Sequence, residues 1–270
     1  MTDTSTKRFA VVTGASSGIG YELAAEFARN GFDLLIASET DKITDAATRL
    51  ASAGTEVDSI RVDLATYDGV EALYGRIRSG GRPVDAIAIN AGVGVSGDFA
   101  RGTDLRDELN LINLNVISPV HLAKRVLPDM VARGEGRVLF TSSIAATMPG
   151  SFAAIYNASK AFVKSFAEAI RNELKDTGVT VTTLMPGPTE TEFFDRAGLT
   201  ENDTKLGQKD NKDDPAQVAK EGYEALMAGK DHIVAGSFMN KLQSVAGHIL
   251  PDTVMAEMHR KQAEPGSARK

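Results

Sequence analysis

The chain has 270 residues, 42% of them hydrophobic and 24% charged, the balance of an ordinary globular protein able to bury a sizeable core rather than of a disordered or fibrous one. Its formal net charge of -6 is spread over interleaved acidic and basic residues, which excludes the broad positive surface that nucleic-acid backbones require. It has no cysteine, so disulfides, thiolate metal clusters and a cysteine nucleophile are excluded.

The polar start, Met1 to Lys7, has neither the apolar stretch of a signal peptide nor the pattern of a transit peptide, and no apolar run is long enough to span a bilayer. A cytoplasmic location and no membrane partner are expected. Along the chain, β-branched and apolar runs predict strands at Phe9–Thr13, Asp33–Ala37, Val57–Arg61, Ala86–Asn90, Arg137–Thr141, Val179–Met185 and His232–Ala235. Between them, helical patterns run over Gly18–Asn30, Lys42–Ala53, Tyr67–Ser79, Asp104–Arg133, Phe152–Thr177 and Pro215–Ala228. Gly31, Gly54, Gly80-Gly81 and Gly178 stand where left-handed helix stops belong. Pro119 predicts a break or kink near Asn115 to Ser118.

This alternation predicts an α/β fold: a doubly wound, mostly parallel Rossmann-type sheet with helices on both faces, in one domain with its core over 8–235 and a C-terminal extension over 236–270. Residues 190–214 lose periodicity, and a loop of that length in a compact domain reads as a mobile lid over a substrate. The end of the chain, Gln262–Lys270, reads as frayed.

The segment Thr13-Gly14-Ala15-Ser16-Ser17-Gly18-Ile19-Gly20 follows the first strand and opens a helix. Glycines there let backbone N–H groups approach a pyrophosphate, whose charge meets the positive helix end. A simple glycine turn is the bland alternative, and the position after the first strand favours a dinucleotide. Ser38 and Glu39 end the second strand, about 20 residues beyond the glycines, where an acidic group hydrogen-bonds the adenosine ribose. A 2′-phosphate would meet Glu39 rather than an arginine, so NAD(H) is favoured over NADP(H), although Ser38 could tolerate a phosphate.

Tyr156 and Lys160 are four residues apart on a predicted helix and share a face. Bringing a phenol from its ordinary 10 to about 7 takes roughly 4 kcal/mol, which a nearby cation and oriented dipoles can supply. Ser143 lies just past the carboxyl end of the fifth strand, where ligands gather and a hydroxyl can bond a carbonyl oxygen.

With Asp63-Leu64 after the third strand, Asn90-Ala91-Gly92 after the fourth, Asn115, and Pro186-Gly187 with Thr191, these motifs resemble the short-chain dehydrogenase/reductase family in its shorter single-domain branch, from Arg8 to about Ala235. The resemblance implies an NAD(P)-dependent oxidoreductase that moves a hydride between nicotinamide and an alcohol/ketone pair. Ser143 would polarise the carbonyl, Tyr156 donate or remove the proton, Lys160 hold the nicotinamide ribose and lower the tyrosine pKa, and Asn115 support a water linking Lys160 to solvent. Asn113 competes for that asparagine role; Asn115 fits the family pattern better. It further implies that Asp63 and Leu64 flank the adenine, that Asn90 to Gly92 form the site floor, that Pro186, Gly187, Thr189 and Thr191 contact the carboxamide and phosphate side, and that long helices build a homodimer or homotetramer. Ile89 departs from the family, where another asparagine is common.

Phe193, Phe194 and Met148 either line the pocket or anchor its loops. His121, His232, His248 and His259 have no metal-site spacing, and each reads as a surface or satisfied core residue. A non-catalytic dinucleotide sensor is the competing class; a nucleoside-cofactor methyltransferase fits Glu39 but neither the glycine spacing nor the Tyr156/Lys160 pair.

Overall fold

The computed structural model describes residues 7–52, 54–200, 203–208 and 212–269. Ala53 of the second expected helix, five residues of the expected lid, Met1 to Thr6 and the terminal Lys270 lie outside them.

Seven strands, β1 (Phe9–Thr13), β2 (Asp33–Ser38), β3 (Val57–Arg61), β4 (Ala86–Ile89), β5 (Gly136–Thr141), β6 (Val179–Pro186) and β7 (His232–Ala235), form one sheet in the order β3-β2-β1-β4-β5-β6-β7. Every pairing is parallel, with Val11 opposite Leu35 on one side and Ile87 on the other. The central strands β1 and β4 and the Leu34–Ala37 stretch of β2 read as near-continuous apolar runs because both faces are covered. Helices α1 (Gly18–Arg29), α2 (Lys42–Ala51) and α8 (Pro215–Met227) cover one face through Leu23, Phe27, Ile43, Val218 and Leu226. On the other face lie α3 (Tyr67–Ser79), α5 (Ser118–Arg133) and α6 (Ala154–Glu173), with Leu73, Leu122, Val126, Val163 and Ala167 inward. Winding reverses between β1 and β4, so the loops leaving their carboxyl ends diverge and open a crevice, the usual ligand position in such sheets.

Several expectations change in detail. The stretch over 104–133 is α4 (Leu105–Ile112), a π-helical turn at Asn113–Ile117, and α5. Pro119 has no N–H to offer Asn115 O, its α-helical acceptor four residues earlier, so the regular ladder fails there. After α3, Gly80 stays right-handed and Gly81 makes the left-handed turn. The fifth expected helix, Phe152–Thr177, begins at Ala154 rather than Phe152, because Phe152 has a left-handed backbone (φ 64°). Within 190–214, a short helix α7 (Phe193–Arg196) and a 3-10 turn at Lys205–Gly207 break up the expected loop.

The described residues 262–269 are docked rather than frayed. Two helices, α9 (Phe238–Ile249) and α10 (Asp252–Ala263), follow β7. Ala263 and Ser267 are buried, Ser267 Oγ accepts from Lys205 N at 3.1 Å, and Asp203 Oδ1 accepts from Gly266 N at 2.9 Å. The tail therefore packs on the 3-10 turn of the 190–214 segment, a long-range contact that no local composition could announce.

Candidate active site

At the carboxyl edge of the sheet a cavity of about 270 Å³ runs from the Gly14–Gly20 turn to α10. The wall at the Gly14–Gly20 end is built by β1, β2 and their loops. Gly18 is left-handed (φ 57°), and a Cβ there would press on Thr191 Cγ2 at 2.9 Å; at Gly20 a Cβ would run into Gly14 O. The turn is thus a backbone cradle. Ser17 caps α1 without a side-chain bond and no acidic residue occupies the first turn, which leaves the N–H groups there for an anion. Ser16 and Ser38 are buried and bonded to each other at 2.9 Å, whereas Glu39 is exposed at the cavity rim. Asp63 turns its Oδ1 to Ala65 N at 2.9 Å, and Leu64 is buried beside it.

The floor is cross-braced. Thr13 Oγ1 accepts from Asn90 N at 2.9 Å and from Ala91 N at 3.0 Å, while Asn90 Nδ2 donates to Thr13 O at 3.1 Å and Thr141 donates to Asn90 Oδ1 at 3.0 Å. A Cβ at Gly92 would stand 3.1 Å from Asn115 Oδ1 and 3.3 Å from Lys160 Nζ, so these side chains would have to give way slightly. Asn115 stands behind the cavity wall: its Nδ2 donates to Val93 O at 2.9 Å and to Ser159 Oγ at 3.2 Å, tying the β4 loop to α6.

On α6, Tyr156 and Lys160 share a face as expected, with Nζ 5.7 Å from the phenol ring centre. Lys160 is buried and donates to Thr141 O at 3.0 Å; burial lowers its pKa to about 8. Ser143 bonds the Tyr156 phenol and donates to Pro186 O at 3.3 Å. Burial pushes the phenol up to about 12 against the opposing effect of the Ser143 bond. In the protein alone desolvation therefore outweighs the Ser143 bond. Gly187 and Thr189 face the same cavity, Thr189 Oγ1 donating to Gly187 O at 2.9 Å.

Apart from Asn115, every residue singled out from sequence for this site lines the cavity. Phe193, Phe194 and Met148 do so while also anchoring: Phe194 packs with Ala197 and Leu199, and Phe193 lies 5.2 Å from the Tyr156 ring. Sequence reasoning missed Gln243, His259 and Gln262, which α9 and α10 bring to the far wall. Of these, only Gln243 falls in an amphipathic stretch, Met239–Leu250. It also missed a link across the rim, Lys42 to Glu192 at 2.6 Å, Glu192 to Arg196 at 3.0 Å and Arg196 to Ser17 Oγ at 3.4 Å. His121 bonds Glu71 and stacks on Tyr67, His232 pairs with Asp231, and the His248 side chain lies outside what is described. Among the described residues no group of three or more His, Asp or Glu is arranged to hold a metal.

The family model for short chain dehydrogenases matches residues 8–202. The chain belongs to that family. As a short-chain dehydrogenase it is an NAD(P)-dependent oxidoreductase acting on alcohol or carbonyl groups. Among its relatives is a sulfoacetaldehyde reductase of Chromohalobacter salexigens, 34% identical over 183 residues, spanning 67% of this chain and 72% of that protein. A short-chain dehydrogenase from Sphingobium yanoikuyae in complex with NADPH is similar in structure, with a TM-score of 0.79 and 26% identity over 89% of this chain and 93% of that one. Another from Burkholderia phymatum, in complex with NAD, has a TM-score of 0.76 and 25% identity, covering 84% and 88% of the two chains. Among the described residues of this short-chain dehydrogenase, no helix is long and apolar enough to cross a membrane.

Proposed function

We propose that the chain interconverts a secondary alcohol and its ketone, or a related carbonyl, with Tyr156 as general acid and base. The convergence of Ser143, Tyr156 and Lys160 on one cavity with the glycine cradle carries this reading, and nothing favours the non-catalytic sensor. The cradle fits a dinucleotide: Gly14 to Gly20 would hold the pyrophosphate, Ser38, Glu39, Asp63 and Leu64 the adenosine, and Lys160, Pro186, Gly187, Thr189 and Thr191 the nicotinamide half. When bound, the nicotinamide supplies the hydride donor or acceptor. Ser143 polarises the carbonyl oxygen by donating its hydrogen bond to it, and Tyr156 Oη gives that oxygen its proton in reduction or takes it in oxidation. A phenol held at about 12 is fully protonated at neutral pH, ready as the acid of carbonyl reduction. Asn115, whose carbonyl Pro119 deprives of its α-helical donor, stands next to Lys160 as support for a water-borne proton path to solvent.

NAD(H) is favoured over NADP(H). Ser38 is spent on Ser16, Glu39 lies at the rim, and the nearby cations Arg61, Lys42 and Arg196 already face Asp41 and Glu192. The described residues 190–200 of the expected lid close the cavity on the Lys42–Glu192–Arg196 link. Exposed Leu105, Leu109, Ile117 and Phe162 give α4, the π turn and α6 the apolar outer surface of a homodimer or homotetramer, and the absence of cysteine suits a cytoplasmic setting.

The test is titration with NADH and NADPH, followed by a ketone panel on wild type and Tyr156→Phe. Tighter NADH binding is expected, with turnover reduced by about 10²-fold or more in the variant while cofactor binding persists. Equal turnover in Tyr156→Phe would remove the residue from its role.

A further inference from the structure

Apolar side chains, Met148, Phe193, Phe194, Leu199 and Leu206, line the cavity together with polar ones from the C-terminal helices: Gln243 of α9, and His259 and Gln262 of α10. The histidine is held in one tautomer. Its Nδ1 lies 2.8 Å from Ser151 O, a carbonyl that can only accept, so Nδ1 carries the proton. Ser151 returns the contact by donating its hydroxyl to Ala256 O at 3.0 Å, and Arg260 lies over the ring of Phe152, 5.2 Å from its centre. These three contacts fasten α10 to the turn leading into Tyr156, and Gly97 N fastens the same turn from the other side through Phe152 O at 2.9 Å. The imidazole is therefore fixed in position as well as in tautomer.

Nε2 then has a lone pair and no hydrogen-bond partner among the described residues. It is absent from the polar atoms that are sealed away without a partner, so it keeps accessible surface, and its residue lines the cavity. Burial lowers the pKa of His259, which keeps the ring neutral and the lone pair available at neutral pH.

We infer that His259 is a specificity-determining residue whose Nε2 accepts a hydrogen bond from a hydroxyl or amide N–H at the end of the substrate remote from the reacting carbonyl. The substrate class is accordingly an elongated, mainly apolar ketone or secondary alcohol with a neutral donor at its far end. Gln243 and Gln262 flank that end and serve either polarity of a hydroxyl. A site that holds a fixed acceptor in an apolar wall discriminates strongly against an analogue with no donor, because the acceptor is then left dry and unpaired. An ω-carboxylate is excluded by the same chemistry, since it would set an anion against a lone pair.

The inference rests on the carbonyl-reductase reading above, and the experiment separates the two. Methyl ketones of increasing chain length, their ω-hydroxy counterparts and their ω-carboxylates are compared as substrates with NADH, in wild type, His259→Asn, His259→Leu and Tyr156→Phe. Asparagine can still donate to Ser151 O but has no acceptor where Nε2 stands; leucine loses both. In wild type, kcat/KM for the ω-hydroxy ketone of fitting length is expected to exceed that of its plain counterpart by at least about tenfold. His259→Asn is expected to erase that ratio by lowering kcat/KM for the hydroxy ketone without lowering it for the plain ketone, which no longer leaves an acceptor unpaired. Turnover that needs Tyr156 but ignores the terminal hydroxyl, or an equal loss for both ketones in His259→Asn, overturns the inference and leaves the carbonyl-reductase reading intact. A preference for the carboxylates overturns it as well. Absence of turnover for the whole panel, with Tyr156→Phe indistinguishable from wild type, overturns that reading and the inference together.

Discussion

Lys160 should make the protein less stable at neutral pH than an apolar residue would, because it is a buried ammonium with a single protein acceptor, Thr141 O. Burial lowers its pKa from an ordinary 10.5 to about 8. At about 1.4 kcal/mol for each factor of ten in proton affinity, the charged form is disfavoured in the folded state by roughly 3 kcal/mol. Replacing Lys160 by Met removes that cost but leaves Thr141 O without its donor, a loss of about 1 kcal/mol or more, so the net gain is about 1–2 kcal/mol. For a domain of this size that raises the unfolding temperature by about 2–8 °C at pH 7, while turnover collapses. The sign with pH is fixed. Between about 8 and 10.5 the unfolded chain binds the proton that folded Lys160 has released, so this group's contribution to wild-type stability rises with pH across that window. The advantage of Lys160→Met must therefore shrink from pH 7 to pH 10. Calorimetric or fluorescence-monitored melts of both proteins over that range provide the check. A variant less stable than wild type at pH 7, or an advantage indifferent to pH, would refute the reasoning.

The cofactor corner and the lid offer two further tests. Ser38→Arg places a permanent cation beside the ribose position and should move the NADPH-to-NADH affinity ratio toward NADPH by about tenfold or more, read from fluorescence titrations of each; an unchanged ratio would put the 2′-position elsewhere. Glu192→Ala removes the carboxylate that Lys42 and Arg196 share, and Lys42 is what holds that carboxyl below its ordinary range. Both partners are exposed, so the unfolding temperature should hardly move, whereas protease cleavage near 192–199 should accelerate and the KM for cofactor rise. A substantially lower unfolding temperature would show the link to be structural rather than a latch.

The sheet was legible because its signals are local. Three strands, Phe9–Thr13, Val57–Arg61 and His232–Ala235, fall where the apolar runs place them, and Gly31, Gly54 and Gly178 take the left-handed stops expected of them. The dinucleotide side was legible for a related reason: a backbone cradle needs glycine at set positions, and Gly18 and Gly20 tolerate nothing larger. What escaped depends on contacts between distant segments. Nothing near Phe152 in the chain announces a left-handed backbone, which is held by Gly97 N from one side and faced by Arg260 from the other. His259 read as a surface or satisfied core residue because its one fixed bond, to Ser151, spans more than a hundred positions.

The contrast between Tyr156 and Lys160 shows how the same burial serves two ends. One desolvated pocket raises the phenol and lowers the ammonium, which moves both groups toward their neutral forms. A neutral phenol is the form that donates a proton to a carbonyl, so burial already prepares the reductive direction without help from a neighbouring charge. Oxidation needs the phenolate, and the cation that would stabilise it is itself near its own titration point at about 8. Raising the pH to help ionise Tyr156 thus removes the Lys160 charge first, since about 8 lies well below about 12. In the proposed reaction the neutral phenol that burial favours is the acid of carbonyl reduction, and the phenolate of alcohol oxidation would need further stabilisation beyond what these two side chains provide.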